Sequence, residues 1–305
     1  MREFGYERVV DVSGAVALLG ADPDARFLGG GTNLVDLMKA GVERPALLVD
    51  ITGLPLDGVE FSQDSGLRIG ATVTNSDLAA HPDVRRHYPA LAHAVLAGAS
   101  GQLRNMATVG GNLLQRTRCG YFTDLSKPCN KRAPGSGCPA LTGEHHNHAI
   151  LGASEHCAAT HPSDMAVALA AFDAVISYET AAGPGELPIA DFYLPVGDTP
   201  HIETALPPGA LITGVTLPPT PVAAHSRYRK VRERASYAFA IGSIAAALDV
   251  QDDVVREVRL AFGAVASRPW RARAAERVLT GGPADPPGLA GAARGEQAVR
   301  EITTI

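Results

Sequence analysis

Four cysteines are the residues of this sequence best suited to chemistry, and all of them lie between residues 119 and 157: Cys119, Cys129, Cys138 and Cys157. The chain of 305 residues contains no other cysteine. Disulfides that only stabilise a fold have no reason to cluster, and a chain of this length builds a core without them. The clustering therefore indicates a local device: a metal site, an iron–sulfur cluster or a redox disulfide.

The spacing of the cysteines narrows these alternatives. Structural zinc sites usually carry closely spaced cysteine pairs, and catalytic redox disulfides use Cys-x-x-Cys. Neither spacing occurs here, so zinc is the weaker alternative. Four thiolates at long spacing match a 4Fe-4S cluster with one cysteine on each iron. Five nearby histidines keep zinc open, although we assign none of them to a metal, because loop histidines more often form hydrogen bonds: His145, His146, His148, His156 and His161.

Basic side chains flank the cysteines and would suit an anionic cluster. Between residues 104 and 138 they outnumber the acidic Asp124, and they are Arg104, Arg116, Arg118, Lys127, Lys131 and Arg132. A solvated or partner-facing surface is the alternative explanation for the same charges.

Two glycine-rich turns are the next candidate binding elements. The first, Gly29-Gly30-Gly31-Thr32-Asn33, follows a predicted strand and precedes a predicted helix. Backbone N–H groups at such a position bind phosphate oxygens when no side chain obstructs them. The second is Thr108-Val109-Gly110-Gly111-Asn112. Either turn alone could be structural, but two of similar form indicate two arms around one diphosphate.

Known nucleotide motifs fit the first turn only in part. A Rossmann turn needs a third glycine where Leu34 stands, although Asp50 follows at a suitable separation. A P-loop needs Gly-Lys-Ser/Thr, which is absent.

Alternating strands and helices must position the first turn. Residues 7–54 are predicted as β-α-β-α-β, with strands near residues 9–12, 26–28 and 47–51. The last of these is a continuous apolar run, which is typical of a strand buried on both faces.

The rest of the chain predicts two further regions of regular structure around an irregular segment. Residues 116–161 hold all the cysteines and lack apolar periodicity, which indicates a functional loop segment. Ser163 and Asp164 predict the start of a helix. The other predicted elements are strands at 66–73, 105–112 and 174–178, a helix at 91–98, and, after a boundary near Pro218–Pro221, an antiparallel sheet from 226–232, 240–250 and 256–264 with a helix at 271–279.

Composition excludes several classes of protein. Hydrophobic residues make up 46% of the chain and charged residues 19%, a globular balance that excludes disordered and fibrous proteins. The length suggests at least two domains. A net charge of −5 provides no basic field for nucleic acid. No apolar run predicts a membrane span, and the N-terminus lacks a signal-peptide pattern, so we expect synthesis in the cytoplasm.

Taken together, the motifs resemble a known family. Gly29–Leu34, Thr108–Asn112 and Ser163-Asp164 resemble the FAD-binding medium subunit of the xanthine dehydrogenase and carbon monoxide dehydrogenase family of molybdenum enzymes. The likeness covers about residues 4 to 280. Four segments show a more specific similarity, to the flavin subunit of three-subunit bacterial aldehyde oxidoreductases: Leu113–Cys119, Cys129–Arg132, Pro134–Cys138 and His148–Gly152. In those enzymes an insertion in the flavin subunit carries a 4Fe-4S cluster.

The resemblance implies an α+β fold built from α/β subdomains. Residues 1–219 would form a vanillyl-alcohol-oxidase/PCMH-type FAD-binding domain with subdomains at about 1–55 and 56–219 and an iron–sulfur insertion at about 115–160. Residues 220–305 would form a C-terminal α/β domain of the CO dehydrogenase flavoprotein type. The usual terminal helix of the family is not found after about residue 283, and residues 294–305 either replace it or form a shifted or truncated end.

The resemblance also implies site residues, none of them catalytic. The four cysteines would be the cluster ligands, and Asp164 would contact the ribose region of FAD. The implied FAD contacts are Phe27, Leu28, Gly29, Gly30, Gly31, Thr32, Asn33, Leu34, Thr108, Gly110, Gly111, Asn112, Asp164, Ile212 and Lys230.

The implied function is that of an electron-transfer subunit in a heterotrimer. An aldehyde would be oxidised at a molybdenum cofactor in a large partner chain. Electrons would pass through 2Fe-2S clusters of a small partner to FAD in this chain and on to an external acceptor. Export to the periplasm on a partner's twin-arginine signal is the alternative to a cytoplasmic location. A zinc-braced binding or scaffold module and a stand-alone FAD oxidase are the alternative functions.

Overall fold

The computed structural model describes residues 1–285, which form three β-sheets with α-helices packed between and around them. The strands are β1 (Gly5–Arg8), β2 (Ala25–Leu28), β3 (Leu47–Asp50), β4 (Val59–Ser62), β5 (Gly66–Gly70), β6 (Val175–Thr180), β7 (Gly183–Pro188), β8 (Leu211–Leu217), β9 (Ser226–Val231), β10 (Gly242–Gln251), β11 (Val254–Gly263) and β12 (Trp270–Arg271). The helices are α1 (Val12–Ala21), α2 (Leu34–Lys39), α3 (Asn75–Ala80), α4 (Pro82–His87), α5 (Pro89–Ala97), α6 (Gly101–Arg104), α7 (Val109–Leu113), α8 (Gly120–Thr123), α9 (Asp164–Ala171), α10 (Ile189–Phe192) and α11 (Arg273–Leu279).

The first sheet is parallel, with strand order β1-β3-β2. Parallel neighbours need a crossover between them, and α1 and α2 supply the two crossovers. The predicted β-α-β-α-β order is therefore confirmed, but the strand predicted at 9–12 is wrong: the first strand is Gly5–Arg8, and residues 9–12 lead into helix α1. The central strand β3 is the most buried of the three, as its apolar run predicts.

The second sheet is antiparallel, with order β4-β5-β8-β6-β7. The prediction missed three of its five strands, which are the edge strands β4 and β7 and the inner strand β8. Strand β7 contains Pro184 and Pro188. Proline has no N–H to donate, so a sheet tolerates it mainly in an edge strand, where one side has no neighbouring strand to pair with.

The third sheet is antiparallel, as predicted for its strands β9, β10 and β11, and its order is β12-β11-β10-β9. The short edge strand β12 was not predicted. Helix α9 packs on β10 and β11, and all its residues from Met165 to Ala171 are buried. A Cβ added to Gly263 would lie 2.4 Å from Cγ2 of Val167, so the glycine permits the close approach of β11 and α9. The resulting core cluster runs from the second sheet through α9 into the third.

The strand predicted over residues 105–112 is wrong. Residues Val109–Leu113 form helix α7, and the Thr108 hydroxyl caps it by accepting a hydrogen bond from the Gly111 N–H at 3.2 Å. This cap starts a helix in a stretch whose β-branched and glycine residues disfavour one.

The segment over residues 116–161, called the cysteine segment below, is largely irregular, as predicted. It contains α8 and one 3₁₀ turn at Pro139–Leu141. The predicted replacement of the terminal helix by residues 294–305 lies outside the described residues. Over residues 1–285, no helix combines the length and apolar character needed to cross a membrane.

Candidate functional site

A cavity of about 1000 Å³ is the larger of two cavities near the predicted site residues, and a dinucleotide needs a site of this size. Its wall combines elements distant in the sequence: helix α2, the end of α5, helix α7, the start of α9, part of the cysteine segment, and the segment that follows β9. Both apolar side chains, such as Val95 and Leu103, and polar ones, such as Asn112 and Asp164, contribute to it.

The two glycine turns contact each other beside this cavity. A Cβ added to Gly30 would lie only 1.6 Å from the carbonyl oxygen of Met106, and one added to Gly29 would lie 2.9 Å from Oγ1 of Thr108. The contact partner of Gly30 is backbone, which cannot rotate away. The structure thus brings the two turns together, while their binding of a diphosphate remains a prediction.

The predicted FAD contacts divide into two groups by position. The residues that line the cavity are Thr32, Asn33, Gly111, Asn112, Asp164 and Lys230. Glycines 29, 30 and 110 instead lie against the backbone or side chains of neighbouring segments, where they permit close packing. Ile212 lies in the core on β8, only 3% exposed, and is not part of the cavity lining. For the residues outside the lining, the predicted cofactor contacts stay predictions. These residues are Gly29, Gly30 and Gly110 together with Phe27, Leu28, Gly31, Leu34, Thr108 and Ile212.

Asp164 and Lys230 form a buried ion pair in the cavity wall. Nζ of Lys230 lies 2.8 Å from Oδ2 of Asp164, and the two side chains are 4% and 9% exposed. The lysine also donates to the carbonyl of Ala97 at 3.2 Å, and the hydroxyl of Tyr228 donates to the other oxygen of Asp164. Burial and the adjacent carboxylate raise the pKa of Tyr228 far above its usual value, so its proton stays on the hydroxyl.

Replacing Lys230 with methionine is expected to lower the free energy of unfolding by about 3–5 kcal/mol, because it leaves the Asp164 carboxylate buried without its cation. Urea denaturation of the full chain measures this change. Lys39→Met is the matched control, since Lys39 is exposed, and should change stability by less than about 0.5 kcal/mol. Adding Asp164→Asn to Lys230→Met should recover part of the loss; equal losses for both lysines would contradict the importance of the pair.

The four cysteines line one small cavity of about 10 Å³, separate in most of its wall from the large one. Cys129 and Cys157 are buried, and Cys119 and Cys138 are partly exposed. Cys119 belongs to the lining of both cavities. Residues up to 38 positions apart thus line one cavity, and no aspartate or glutamate takes part in that lining.

Two of the cysteines, Cys119 and Cys157, lie in a setting that favours the protonated thiol. Burial raises the pKa of Cys157 to about 11 and also raises that of Cys119. Nε2 of His148 lies 3.2 Å from Sγ of Cys119. Because a thiolate is the ligand form of cysteine, binding of a metal or cluster here must release protons.

A single-ion site is not formed by the described side chains. Over residues 1–285, no three His, Cys, Asp or Glu side chains converge closely enough to hold one metal ion. A tetrahedral zinc site needs its sulfurs about 4 Å apart, since each Zn–S bond is about 2.3 Å. The thiolates of a cubane cluster bind different irons and are spread more widely. The four thiols are the donors that a 4Fe-4S cluster would use, and the cluster itself stays a prediction.

Four of the six basic residues near the cysteines serve the protein's own acceptors, which weakens the charge argument for a cluster. Arg116 forms ion pairs with Glu43 and Glu203, and Lys131 pairs with Glu203 at 2.7 Å. Although burial opposes the ionisation of Glu203, these two cations hold its pKa below its usual range. Arg132 donates to the carbonyls of Tyr121 and Phe122, and Arg104 donates to that of Gly98. A purely solvated surface is also excluded for Lys131, whose side chain is 7% exposed.

The sequence interpretation missed two contributors to the site. Glu203 lies 72 positions from Lys131 in the chain, so no local sequence pattern predicts that the two side chains pair. The segment Tyr237–Ile241 lines the large cavity although Tyr237, Phe239 and Ile241 are exposed. Its alternation of large apolar residues with alanine, outside any strand, is the signal that could have identified it.

Two family descriptions match this chain in turn. Residues 2–220 match the family described as FAD binding domain in molybdopterin dehydrogenase. Residues 218–303 match the family described as CO dehydrogenase flavoprotein C-terminal domain.

Individual relatives and solved structures agree with these matches. The aldehyde oxidoreductase FAD-binding subunit PaoB of Escherichia coli is 56% identical over 283 residues, covering 92% of this chain and 87% of the relative. The glyceraldehyde dehydrogenase medium chain of Sulfolobus acidocaldarius is 26% identical, covering 92% and 82%. The structure of carbon monoxide dehydrogenase from Hydrogenophaga pseudoflava superimposes with a TM-score of 0.72 at 26% identity, covering 96% of this chain and 85% of that one.

Proposed function

The chain belongs to the FAD-binding medium subunits of the xanthine dehydrogenase family, and from that membership we propose that it is the electron-transfer subunit of an aldehyde oxidoreductase. It would carry one FAD and one 4Fe-4S cluster and deliver electrons from partner chains to an external acceptor. The observation that carries the proposal is the cavity of about 1000 Å³ beside two glycine turns in contact with each other.

The volume of the cavity and the residues that line it support the proposal that FAD binds there. Thr32, Asn33, Gly111 and Asn112 would hold the diphosphate, because backbone N–H groups and small polar side chains at such turns bind phosphate oxygens. The apolar wall would exclude water from the flavin ring. FAD itself supplies the chemistry, since its flavin ring accepts two electrons and gives them up again.

The four converging cysteines support the 4Fe-4S part of the proposal. All four line the same small cavity, which contains no competing carboxylate ligand. Lys131 and Asn130 fix the polypeptide next to Cys129: the lysine donates to Pro200 and Glu203, and the asparagine donates to the carbonyl of His156. These contacts would hold Cys129 facing Cys157 before a cluster binds.

The proposed role needs two partner chains. The names of the relatives describe subunits and medium chains of larger enzymes, among them an aldehyde oxidoreductase and a carbon monoxide dehydrogenase. We infer that a large subunit with a molybdenum cofactor oxidises the aldehyde and that a small 2Fe-2S subunit passes the electrons to this chain. In the wall of the large cavity Asp164 and Lys230 neutralise each other, so neither of these two groups is free for substrate chemistry.

Aldehyde addition under anaerobic conditions tests this division of labour. In the complex of the three chains, an aldehyde should bleach the flavin absorbance within seconds, whereas the isolated chain loaded with FAD should show no bleaching over the same time. Dithionite, which reduces flavin directly, is the control that shows the isolated cofactor to be competent. Aldehyde turnover by the isolated chain would instead support a stand-alone FAD oxidase.

Metal and flavin analysis of the purified chain distinguishes the electron-transfer subunit from the remaining alternative, a zinc-braced scaffold module. The proposal expects one FAD with about four irons and four sulfides per chain. One zinc ion and no flavin would support a zinc-braced scaffold module and contradict the electron-transfer role.

A further inference from the structure

Arg118 is a cation in the wall of the large cavity without an anionic partner. No carboxylate lies within the ion-pair limit of 4.0 Å of its guanidinium in the part of the chain that the structure describes. The other buried cations of the region differ in this respect, because Lys230 pairs with Asp164 and Lys131 pairs with Glu203.

The guanidinium is held in place but keeps unused donors. Nη1 donates to the carbonyl of Arg116 at 3.1 Å, and Cζ lies 5.1 Å from the centre of the Phe239 ring. Nε and Nη2 have no acceptor among residues 1–285. Neither of them is a buried polar atom without a hydrogen-bond partner, so both remain accessible. Because Arg118 lines the cavity, these donors are open to whatever occupies it.

An anion in the cavity would stabilise the charged side chain of Arg118. This side chain is half-buried in the cavity wall. Arginine stays charged in proteins, so the side chain remains a partly desolvated cation. An anion that reaches its free donors would restore the solvation that burial removed, and a planar fork of N–H groups matches phosphate oxygens especially well.

The position of Arg118 identifies which part of a ligand it meets. The backbone N–H of Arg116, two residues earlier, donates to Oδ1 of Asn33 at 2.8 Å. Gln115 donates to Oδ1 of Asn112 at 2.9 Å. These contacts tie the start of the cysteine segment to both glycine turns, and therefore bring Arg118 to the side of the cavity where those turns lie.

We propose that Arg118 binds the diphosphate of FAD, with Phe239 stacked on the guanidinium to keep its fork facing the cavity. The diphosphate is the anionic part of FAD, and its charge would be shared between the glycine turns and this arginine. The inference rests on the proposed function in one respect, which is that FAD occupies the cavity.

Flavin titration of the full apo-chain tests the proposal, with binding followed by quenching of flavin fluorescence. Riboflavin is the discriminating ligand, because it has the flavin ring of FAD but no phosphate. Arg118→Met should weaken FAD binding by about ten- to a hundredfold, the range for hydrogen bonds to charged groups. Riboflavin affinity should change by less than about twofold. Arg118→Lys should lose less FAD affinity than Arg118→Met, because it keeps the charge without the fork.

Two further measurements separate a direct contact from a general effect. Lys39→Met removes a positive charge from an exposed residue outside the cavity lining and should leave the FAD affinity unchanged. The salt dependence of FAD binding should become weaker in Arg118→Met than in the wild type. Equal losses for FAD and riboflavin, or unchanged FAD binding, would overturn the proposal. A wild-type chain that binds neither flavin would contradict the cofactor assignment itself, which is a distinguishable failure.

Discussion

Gly30→Ala is expected to reduce FAD affinity at least tenfold and to lower the free energy of unfolding by about 1–3 kcal/mol or more. The added Cβ would overlap the carbonyl oxygen of Met106 at 1.6 Å and its carbon at 2.4 Å. Both contact atoms are backbone, so the overlap is relieved only if the first glycine turn moves away from the second. Such a movement separates Asn33 from Asn112, the two polar residues expected to hold one diphosphate from opposite sides. Retained flavin after gel filtration and urea denaturation measure the two effects.

Gly20→Ala is the matched control for this substitution. Gly20 lies near the end of α1, and a Cβ added there meets nothing within 4 Å. Alanine is favoured over glycine in a helix, so this variant should be as stable as the wild type or about 0.5–1 kcal/mol more stable. It should also keep its FAD. If Gly30→Ala folds less stably but retains FAD at wild-type affinity, the contact between the turns does not form the binding site.

Cys129→Ser is expected to remove most of the iron from the chain, to less than about a quarter of the wild-type content. Cys129 is 8% exposed and lines the small cavity with the other three cysteines. A serine oxygen replaces a soft thiolate poorly as an iron ligand. Iron and sulfide analysis after anaerobic purification measures the loss. The visible absorbance that remains should be that of flavin alone, since the FAD cavity is lined by Cys119 and not by Cys129.

His156→Gln is the control that separates a cluster from a mixed cysteine–histidine zinc site. His156 lines the same small cavity, but we assign it no metal. The variant should keep its full iron content. Loss of metal from His156→Gln together with zinc in the wild type would favour the zinc alternative, and full iron in Cys129→Ser would overturn the ligand set.

Local sequence signals predicted those elements whose ends are defined by neighbouring residues. Ser163 accepts a hydrogen bond from the N–H of Ala166, and the apolar run after it forms the predicted helix α9. The apolar run at residues 47–51 forms the central parallel strand β3. Edge strand β7 was missed because its Gly and Pro content is typical of loops, and only its pairing with β6 makes it a strand.

The site was predictable where its members are adjacent in sequence and not where they meet by folding. The glycine turns could be identified from their own residues, yet the steric reason for Gly30 is the backbone of Met106, 76 positions later in the sequence. The positive charges at Arg116 and Lys131 suggested an anionic cluster, whereas Glu43 and Glu203 neutralise them in the structure. Charge counts near a motif therefore identify a ligand poorly until the partners of each charge are known.

The core that passes through α9 has a consequence for how this protein can change in evolution. That core is continuous from Leu67 in the second sheet to Ala261 in the third, so the two parts of the chain should gain and lose their structure in one cooperative transition. A C-terminal half borrowed from a distant relative would have to match the buried face of α9 residue by residue. The cysteine segment contributes nothing to that core within the described chain. Length can therefore be gained or lost there while the cooperative unit that supports the flavin-binding domain is preserved.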